Sequence, residues 1–202
     1  MGFWKKHSYQ IVRLFIIQVG IAIFGFVLSL AVMTAFRERD DRVALLMVSI
    51  FSVLFYLFLL YSVSWEIGGK DRLRLDAIHA EHNGGTGFLL ALLAEVPNFL
   101  FDLLMLIGGI VVYAGATVGG SRTFGVGYLP STFLNSMYVG IIRNLLTVTG
   151  LSQDASPSYY LVAALLFLAS TVPAILTVGF GYWMGVNEKR IIPAKRPDHS
   201  GK

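Results

Sequence analysis

The sequence predicts an all-α integral membrane protein with four transmembrane helices and an amphipathic helix, interfacial or re-entrant, between spans three and four. Hydrophobic residues make up 55% of the 202 residues and charged residues only 14%. The mean hydropathy of +0.69 is well above that of a soluble domain. Four apolar segments reach the ~20 residues that a helix needs to cross a hydrocarbon core. The length suits one domain, so we expect a single helical bundle over residues 1–186.

The four predicted spans cover residues 11–36, 43–65, 87–118 and 159–186. Lys5 and Lys6 precede the first span, as basic residues precede the core of a signal peptide. The apolar run that follows is longer than such a core, so we expect it to remain in the protein as a span. The charged turn at residues 37–42 is short, and the first two spans should therefore form an antiparallel hairpin.

The second connection, residues 66–86, is polar and contains two pairs of glycines, at positions 68–69 and 84–85. Paired glycines commonly interrupt helices. We therefore expect the second span to end near residue 65 and a short interfacial helix to lie between the two glycine pairs.

The third connection, residues 119–158, has an amphipathic centre at residues 132–149. One face of this helix is apolar, with Leu134, Met137, Ile141, Leu145 and Val148. It is predicted to lie in the interface or to enter the bundle. A fifth span is the alternative, but it would place the basic tail, residues 187–202, outside, against the positive-inside tendency. We therefore expect a multi-pass protein of the cell membrane with both termini in the cytoplasm and a poorly ordered tail.

Three polar residues interrupt the third span. Glu95, Asn98 and Asp102 recur at i, i+3 and i+7, which places them within roughly 60° of one another on a helix. A charged carboxylate at this depth costs about 2.5–3.5 kcal/mol and usually faces a protein interior. Pro97 predicts a kink beside Glu95, and Pro173 predicts another in the fourth span. These residues are the predicted ion or proton site, with the two prolines as hinges.

A structural role for the two acids is the alternative. Protonated carboxyls, or carboxyls that receive hydrogen bonds from other spans, can join membrane helices. The candidate donors are Gln18, Ser29, Tyr56 and Tyr61. Spans two to four carry no Lys or Arg at a comparable depth, although Arg13, near the inner end of the first span, is a candidate neighbour of Glu95.

A second candidate surface lies where the second span leaves the membrane, at residues 65–76. Its predicted partner- or headgroup-binding residues are Trp65, Glu66, Lys70, Asp71, Arg72 and Arg74. Trp at an interface and a basic cluster beyond it are typical of contact with anionic lipid headgroups. The alternatives are a docking surface for a protein partner, or a gate in which Gly68 and Gly69 act as a hinge.

Metal and cofactor chemistry are not predicted. The chain has no cysteine, which excludes disulfides and thiolate metal sites. His79, Glu81 and His82 cluster in a polar connection, but zinc needs three or four well-placed ligands and a second shell. The common metalloprotease, hydrolase and nucleotide-binding motifs are absent. The net charge of +4 is carried beside the apolar segments, so it is read as a topology signal and not as a nucleic-acid surface.

The leading functional hypothesis is a small channel or transporter, or a subunit of one, that handles a cation or proton through its intramembrane carboxylates. Four spans enclose little space, which favours a homo-oligomer or a larger membrane complex. The alternative is a non-transporting adaptor or regulatory subunit that docks a partner through residues 65–76. An enzyme ranks last, because Glu95 and Asp102 are ~10 Å apart along the helix axis with no nucleophile or histidine beside them.

Overall fold

The computed structural model describes residues 3–35, 42–77, 84–151 and 156–188, with side chains from His7 onward. Every regular element within these ranges is helical. The elements are α1 (Phe3–Ala35), α2 (Arg42–Ala77), α3 (Thr86–Ala94), α4 (Val96–Tyr113), α5 (Thr117–Leu134), a 3-10 turn (Ser136–Tyr138), α6 (Val139–Val148) and α7 (Pro157–Val186). The all-α prediction is thereby confirmed for the described residues.

Four helices are long and apolar enough to cross a membrane: α1, α2, α4 and α7. Their surfaces agree with a lipid environment. In the most apolar stretch of 18 residues, only 22% of the residues of α1 and 39% of those of α7 are buried. Large apolar side chains such as Ile16, Leu54 and Leu176 face outward and are more than half exposed. Exposed apolar surface of this extent is unfavourable in water and favourable in hydrocarbon.

Contacts between the spans give their directions. His7 near the start of α1 lies beside Asp71 near the end of α2, so these two helices are antiparallel. Gly87 at the start of α3 packs against Tyr182 near the end of α7, so the third span is antiparallel to α7. The start of α1 and the end of α7 therefore lie at one end of the bundle, named here the terminal end. The opposite end is named the far end.

The third span, predicted over residues 87–118 with a kink beside Glu95, is broken at Glu95 and ends earlier than predicted, at Tyr113. Helix α3 ends and α4 begins at Glu95, whose backbone has φ −84° and ψ −3°. Pro97 is one cause, because it has no N–H to extend the hydrogen-bond ladder of α3 and is favoured in the first turn of a new helix. Helix α4 then ends at Tyr113, because the chain turns at Gly115, where φ is +100°.

Helix α5 runs back along α4 from the far end. Gly120 lies against Val112, and Gly127 lies against Met105. In both places a Cβ would collide with the facing helix, so the absence of a side chain lets the two backbones approach closely. This segment was predicted to be part of a connection. Its glycine, serine and threonine content lowers its hydropathy, which is why it was not predicted as a helix of the bundle.

The chain reverses at the 3-10 turn and returns to the far end in α6. At the reversal Ser136 donates a hydrogen bond to the carbonyl oxygen of Ala22, and Gly140 packs against Leu45 and Ser49 of α2. Helices α5 and α6 thus form a hairpin whose tip lies inside the bundle. The additional helix between spans three and four is therefore re-entrant.

The prediction of a single amphipathic helix over residues 132–149 is wrong in detail. The 3-10 turn divides it, and its buried face differs from the predicted one. Ile142 and Leu146 are buried, whereas Val148 is 79% exposed. The turn shifts the helical register at its tip, and a periodicity carried through the turn therefore assigns the faces of α6 incorrectly.

Helix α2 continues through Gly68 and Gly69 to Ala77, so the predicted break, hinge and separate interfacial helix after residue 65 are wrong. A Cβ on Gly68 would collide with the carbonyl of Tyr182, and one on Gly185 would collide with the carbonyl of Trp65. The glycines serve close packing of α2 against α7 inside one chain. The predicted turn at residues 37–41, the cluster at residues 79–82 and the tail from residue 189 lie outside the described residues.

Candidate functional site

Glu95 lies in a buried hydrogen-bond network at the break in the third span. It is only 5% exposed. Tyr56 OH donates to Glu95 Oε1 at 3.2 Å, while Gln18 Nε2 and Asn98 Nδ2 donate to Glu95 Oε2 at 3.1 and 3.2 Å. Because the three donors belong to α2, α1 and α4, one carboxyl group connects three separate helices. Gln18 and Tyr56 were both among the candidate donors.

A pair of amides extends this network to the tip of the re-entrant hairpin. Asn135 Nδ2 donates to Asn98 Oδ1 at 2.8 Å, and Asn98 Nδ2 lies 3.1 Å from Asn135 Oδ1. Ser170 Oγ of α7 lies 3.1 Å from the same Asn135 oxygen. The set formed by Gln18, Tyr56, Glu95, Asn98, Asn135 and Ser170 is named here the central polar cluster. Helices α1, α2, α4, α5 and α7 all contribute to it or end at it.

Neutral groups make all the hydrogen bonds to Glu95 described here. Arg13, the cation that the sequence placed within reach of Glu95, instead forms an ion pair with Glu66, with Nη2 and Oε2 at 3.0 Å. Two oxygens of a carboxylate can accept about four hydrogen bonds, so three N–H and O–H donors suit an ionised group. The surrounding donors give the carboxyl a defined orientation at the helix break.

Asp102 is separate from this network, although it shares a helix face with Glu95 and Asn98. It is fully buried, and neither carboxyl oxygen has a hydrogen-bond partner among the described residues. It lies beside the Ser131 hydroxyl of α5, which is also buried and forms no hydrogen bond of ordinary geometry with it. Buried polar atoms without partners are costly and rare, and each needs a physical explanation.

Further buried polar atoms, one of them within the central polar cluster, have no hydrogen-bond partner among the described residues. They are Gln18 Oε1, Ser52 Oγ, Thr132 Oγ1 and Tyr138 OH. Hydroxyls both donate and accept hydrogen bonds, and an amide oxygen accepts them. The bundle therefore carries a set of polar atoms at mid-depth that its own described side chains do not satisfy.

A cavity of about 640 Å³ lies between α5, α6, α7 and the end of α1, in the far half of the bundle. Its lining includes Met33, Tyr128, Thr132, Arg143, Tyr159 and Phe167. Thr132 adjoins Ser131, and the carbonyl of Phe167 lies 2.7 Å from Ser170 Oγ. The inner part of the cavity therefore comes within about one helical turn of the central polar cluster.

The predicted surface at residues 65–76 lies on the terminal end of α2. A second cavity, of about 450 Å³, is lined by Trp65, Glu66, Lys70 and Arg72. Glu66 pairs with Arg13 and also with Lys70, at 2.5 Å. Arg72 pairs with Glu188 at 2.9 Å and with Asp76 at 3.4 Å, and Arg74 is exposed. These pairs are at least partly exposed.

Asp71 does not belong to this surface. It is buried, and Tyr182 OH donates to its Oδ2 at 3.1 Å. The Nδ1 atom of His7, which is itself buried, lies 3.9 Å from the same oxygen. The cause is the continuation of α2, which turns Asp71 toward α1 and α7. His7 and Tyr182 could not be predicted as neighbours of Asp71, because each lies far from it along the chain.

The two predicted hinge prolines have different settings. Pro97 is the second residue of α4, directly after the break at Glu95. Pro173 lies inside α7, which runs as one helix from Pro157 to Val186. The break therefore adjoins Pro97 alone, and hinge motion at either proline stays a prediction.

Asn135 and Ser170 were not predicted as site residues. Asn135 lies in the amphipathic segment predicted at residues 132–149, outside its apolar face, and Ser170 is one hydroxyl in an apolar span. The signal that would have found Asn135 is its place in the short polar pair Asn135-Ser136 between two apolar helices, as expected for a hairpin tip. No spacing rule relates residues 98, 135 and 170, because only the tertiary fold brings them together.

The fold and the composition define an all-α, polytopic membrane protein. Family models, curated proteins and solved structures give no match to this chain. Among the described residues, no group of three or more His, Asp or Glu side chains is placed to hold a metal ion. The central polar cluster, with Asp102 and the far cavity, is therefore the site from which a function is argued.

Proposed function

We propose that this protein moves a proton or small cation across the membrane and that Glu95 is the mid-membrane binding group. One observation carries the proposal: a buried carboxyl at a helix break receives donors from three helices. Broken membrane helices that meet at the bilayer centre are the usual setting of binding sites in secondary transporters. An ionisable residue at such a depth is costly and is most often functional.

The same proposal includes a topology and an assembly. Both termini lie in the cytoplasm, residues 1–186 form one domain in the cell membrane, and the far end faces outward. Four spans and one hairpin enclose a narrow path, which favours a homo-oligomer or a larger membrane complex. Protease protection of tags at each terminus tests the orientation, and light scattering of the purified protein tests the oligomeric state.

Ion flux into proteoliposomes tests the function. Glu95→Gln and Asp102→Asn are compared with wild type under proton, sodium and potassium gradients, and Glu66→Gln is the matched control because it removes a carboxylate outside the cluster. We expect Glu95→Gln to lower flux by about tenfold or more, since a neutral amide does not exchange a proton in this range. Glu66→Gln should retain flux.

An adaptor function is the second candidate, and the hydrogen-bond pattern of Glu95 favours it over an enzyme. A network closed within one chain also suits a purely structural role that joins helices. In that case residues 65–76, with Trp65 and Lys70, dock a partner. Absence of flux in wild type, with all variants equally stable, would favour the adaptor and contradict transport.

A further inference from the structure

The donors around Glu95 discriminate between a proton and a metal cation. Two of its three neighbours, Gln18 and Asn98, present N–H groups to the carboxylate. Sites for hard metal cations such as Ca²⁺ and Mg²⁺ instead surround the ion with six or more oxygen ligands. Amide N–H groups cannot serve as such ligands. The immediate surroundings of Glu95 therefore do not suit such a metal cation, whereas Oε1, which accepts one hydrogen bond, can still bind a proton.

The far cavity has a charge pattern that agrees with this. Among its described lining residues Arg143 is the one charged side chain, and no Asp or Glu is present. The described lining therefore offers a metal cation no carboxylate ligand. Protons move by exchange between hydrogen-bonding groups, and they do not require a row of acidic ligands.

Polar side chains lie between the cavity and the interior of the bundle. Thr132 lines the cavity, and its buried hydroxyl has no hydrogen-bond partner among the described residues. The adjacent Ser131 faces α4, where its hydroxyl lies beside the fully buried Asp102. Asn135 lies one turn beyond Ser131, and its N–H donates to the Ser131 carbonyl at 2.8 Å. The series Thr132, Ser131, Asp102 thus leads from the cavity to the edge of the central polar cluster.

We infer that the far cavity is the access route by which protons reach the interior, and that Asp102 is the acid that exchanges them with this side. In each exchange a hydronium ion in the cavity gives one proton to the Asp102 carboxylate, which becomes a neutral carboxylic acid, and water remains. The hydroxyls of Thr132 and Ser131 form no hydrogen bond with each other or with Asp102 in this conformation, and each can accept and donate a proton when it rotates into line. The inference rests on the proposed function and adds the transported species and its side of entry.

The lack of cysteine in the chain allows a direct test. Single variants Thr132→Cys, Thr149→Cys and Thr171→Cys are reconstituted and treated with a membrane-impermeant, cationic methanethiosulfonate from one face at a time. Thr149 is exposed at the far end, and Thr171 is buried in α7 outside the cavity. The measurements are the labelling rate and the fluxes of protons and potassium before and after labelling.

We expect Thr132→Cys to be labelled from the far face only, about tenfold faster than Thr171→Cys, because the reaction needs access to the thiol. Labelling at Thr132 should lower proton flux several-fold, whereas labelling at Thr149 should leave it unchanged. Asp102→Asn should lower proton flux without slowing labelling in the Thr132→Cys background. Potassium flux should remain at the background of empty liposomes throughout.

Other outcomes separate the inference from the proposed function. If Thr132→Cys is as unreactive as Thr171→Cys, or if its labelling leaves proton flux intact, the route is wrong. Transport through Glu95 still holds in that case if Glu95→Gln abolishes flux. Potassium or sodium flux that depends on Glu95 would show that the proton is not the transported species, and the proposed transport function would still hold. No flux of any ion in wild type would overturn both.

Discussion

Asn98 and Asn135 form a reciprocal pair of side-chain amides, at 2.8 and 3.1 Å, between the broken third span and the tip of the re-entrant hairpin. Both residues are 1% exposed. Each amide satisfies the other, and Asn98 also donates to Glu95. The pair thereby joins the acid at the helix break to a segment that comes from the far end of the bundle.

Removal of one amide should destabilise the protein through the other. Asn98→Ala and Asn135→Ala should each lower the free energy of unfolding by about 1–2 kcal/mol, because a buried partner is left unpaired. The double variant should lose less than the sum of the two single losses. Unfolding titrations in detergent measure this coupling, with Asn144→Ala on α6 as the control. Strict additivity would contradict the pairing.

The Tyr56 hydroxyl should stabilise Glu95 in its bound orientation. Tyr56→Phe retains the ring and removes one of three donors, so we expect a loss of about 1 kcal/mol of stability and reduced flux. Tyr61→Phe is the matched control on the same helix, where the ring packs 6.4 Å from Phe180. Equal effects of the two substitutions, in thermal unfolding and in flux, would show that Tyr56 has no special relation to Glu95.

Because the backbones of α2 and α7 are in contact, substitution by Ala should be tolerated far less well at Gly185 than at Gly69. A Cβ at position 185 would collide with the Trp65 carbonyl, whereas a Cβ at position 69 meets its nearest atom at 4.0 Å. Gly185→Ala should cost about 1–3 kcal/mol, and Gly69→Ala should be neutral or stabilise by up to about 1 kcal/mol. Thermal unfolding measures both. A neutral Gly185→Ala would contradict the close packing.

The ion pairs at the terminal end should contribute little to the free energy of unfolding. Glu66 pairs with Arg13 and Lys70, but its side chain is 40% exposed, and such pairs are typically worth less than about 1 kcal/mol. Glu66→Gln should therefore change the free energy of unfolding by less than about 1 kcal/mol. Glu188→Gln is the comparison. Both should leave flux unchanged. Loss of flux in Glu66→Gln alone would instead indicate a gate at this end.

The spans could be predicted because their signal is local. Residues 11–36 and 159–186 are long apolar runs, and α1 and α7 follow them closely. The polar face of Glu95 and Asn98 was also predictable, because a helical period of 3.6 applies across one turn. The extension of α2 was missed because a glycine pair was interpreted by its backbone freedom. In the bundle, Gly68 instead permits contact with α7, which supplies the stabilisation that helix propensity lacks.

The re-entrant hairpin shows the other limit of sequence analysis. Helix α5 contains Gly120, Gly127 and Pro130, which reduce its helix propensity and hydropathy. Its stability comes from contact with α4, and no local pattern reports that contact. For the same reason Asn135 could be predicted as polar but not as a partner of Asn98. Asp102 was correctly identified as buried, yet its separation from Glu95 depends on which helix it faces.

The glycine contacts between α4 and α5 have a mechanical consequence. Because their backbones approach closely at these glycines, the two helices should move as one rigid arm whose pivot is the turn at Glu95. Helix α4 has 18 residues and is thus ~27 Å long, so a rotation of about 5° at the pivot moves its far tip by roughly 2 Å. A small rearrangement around one carboxyl would thereby be amplified into a change in the shape of the far cavity.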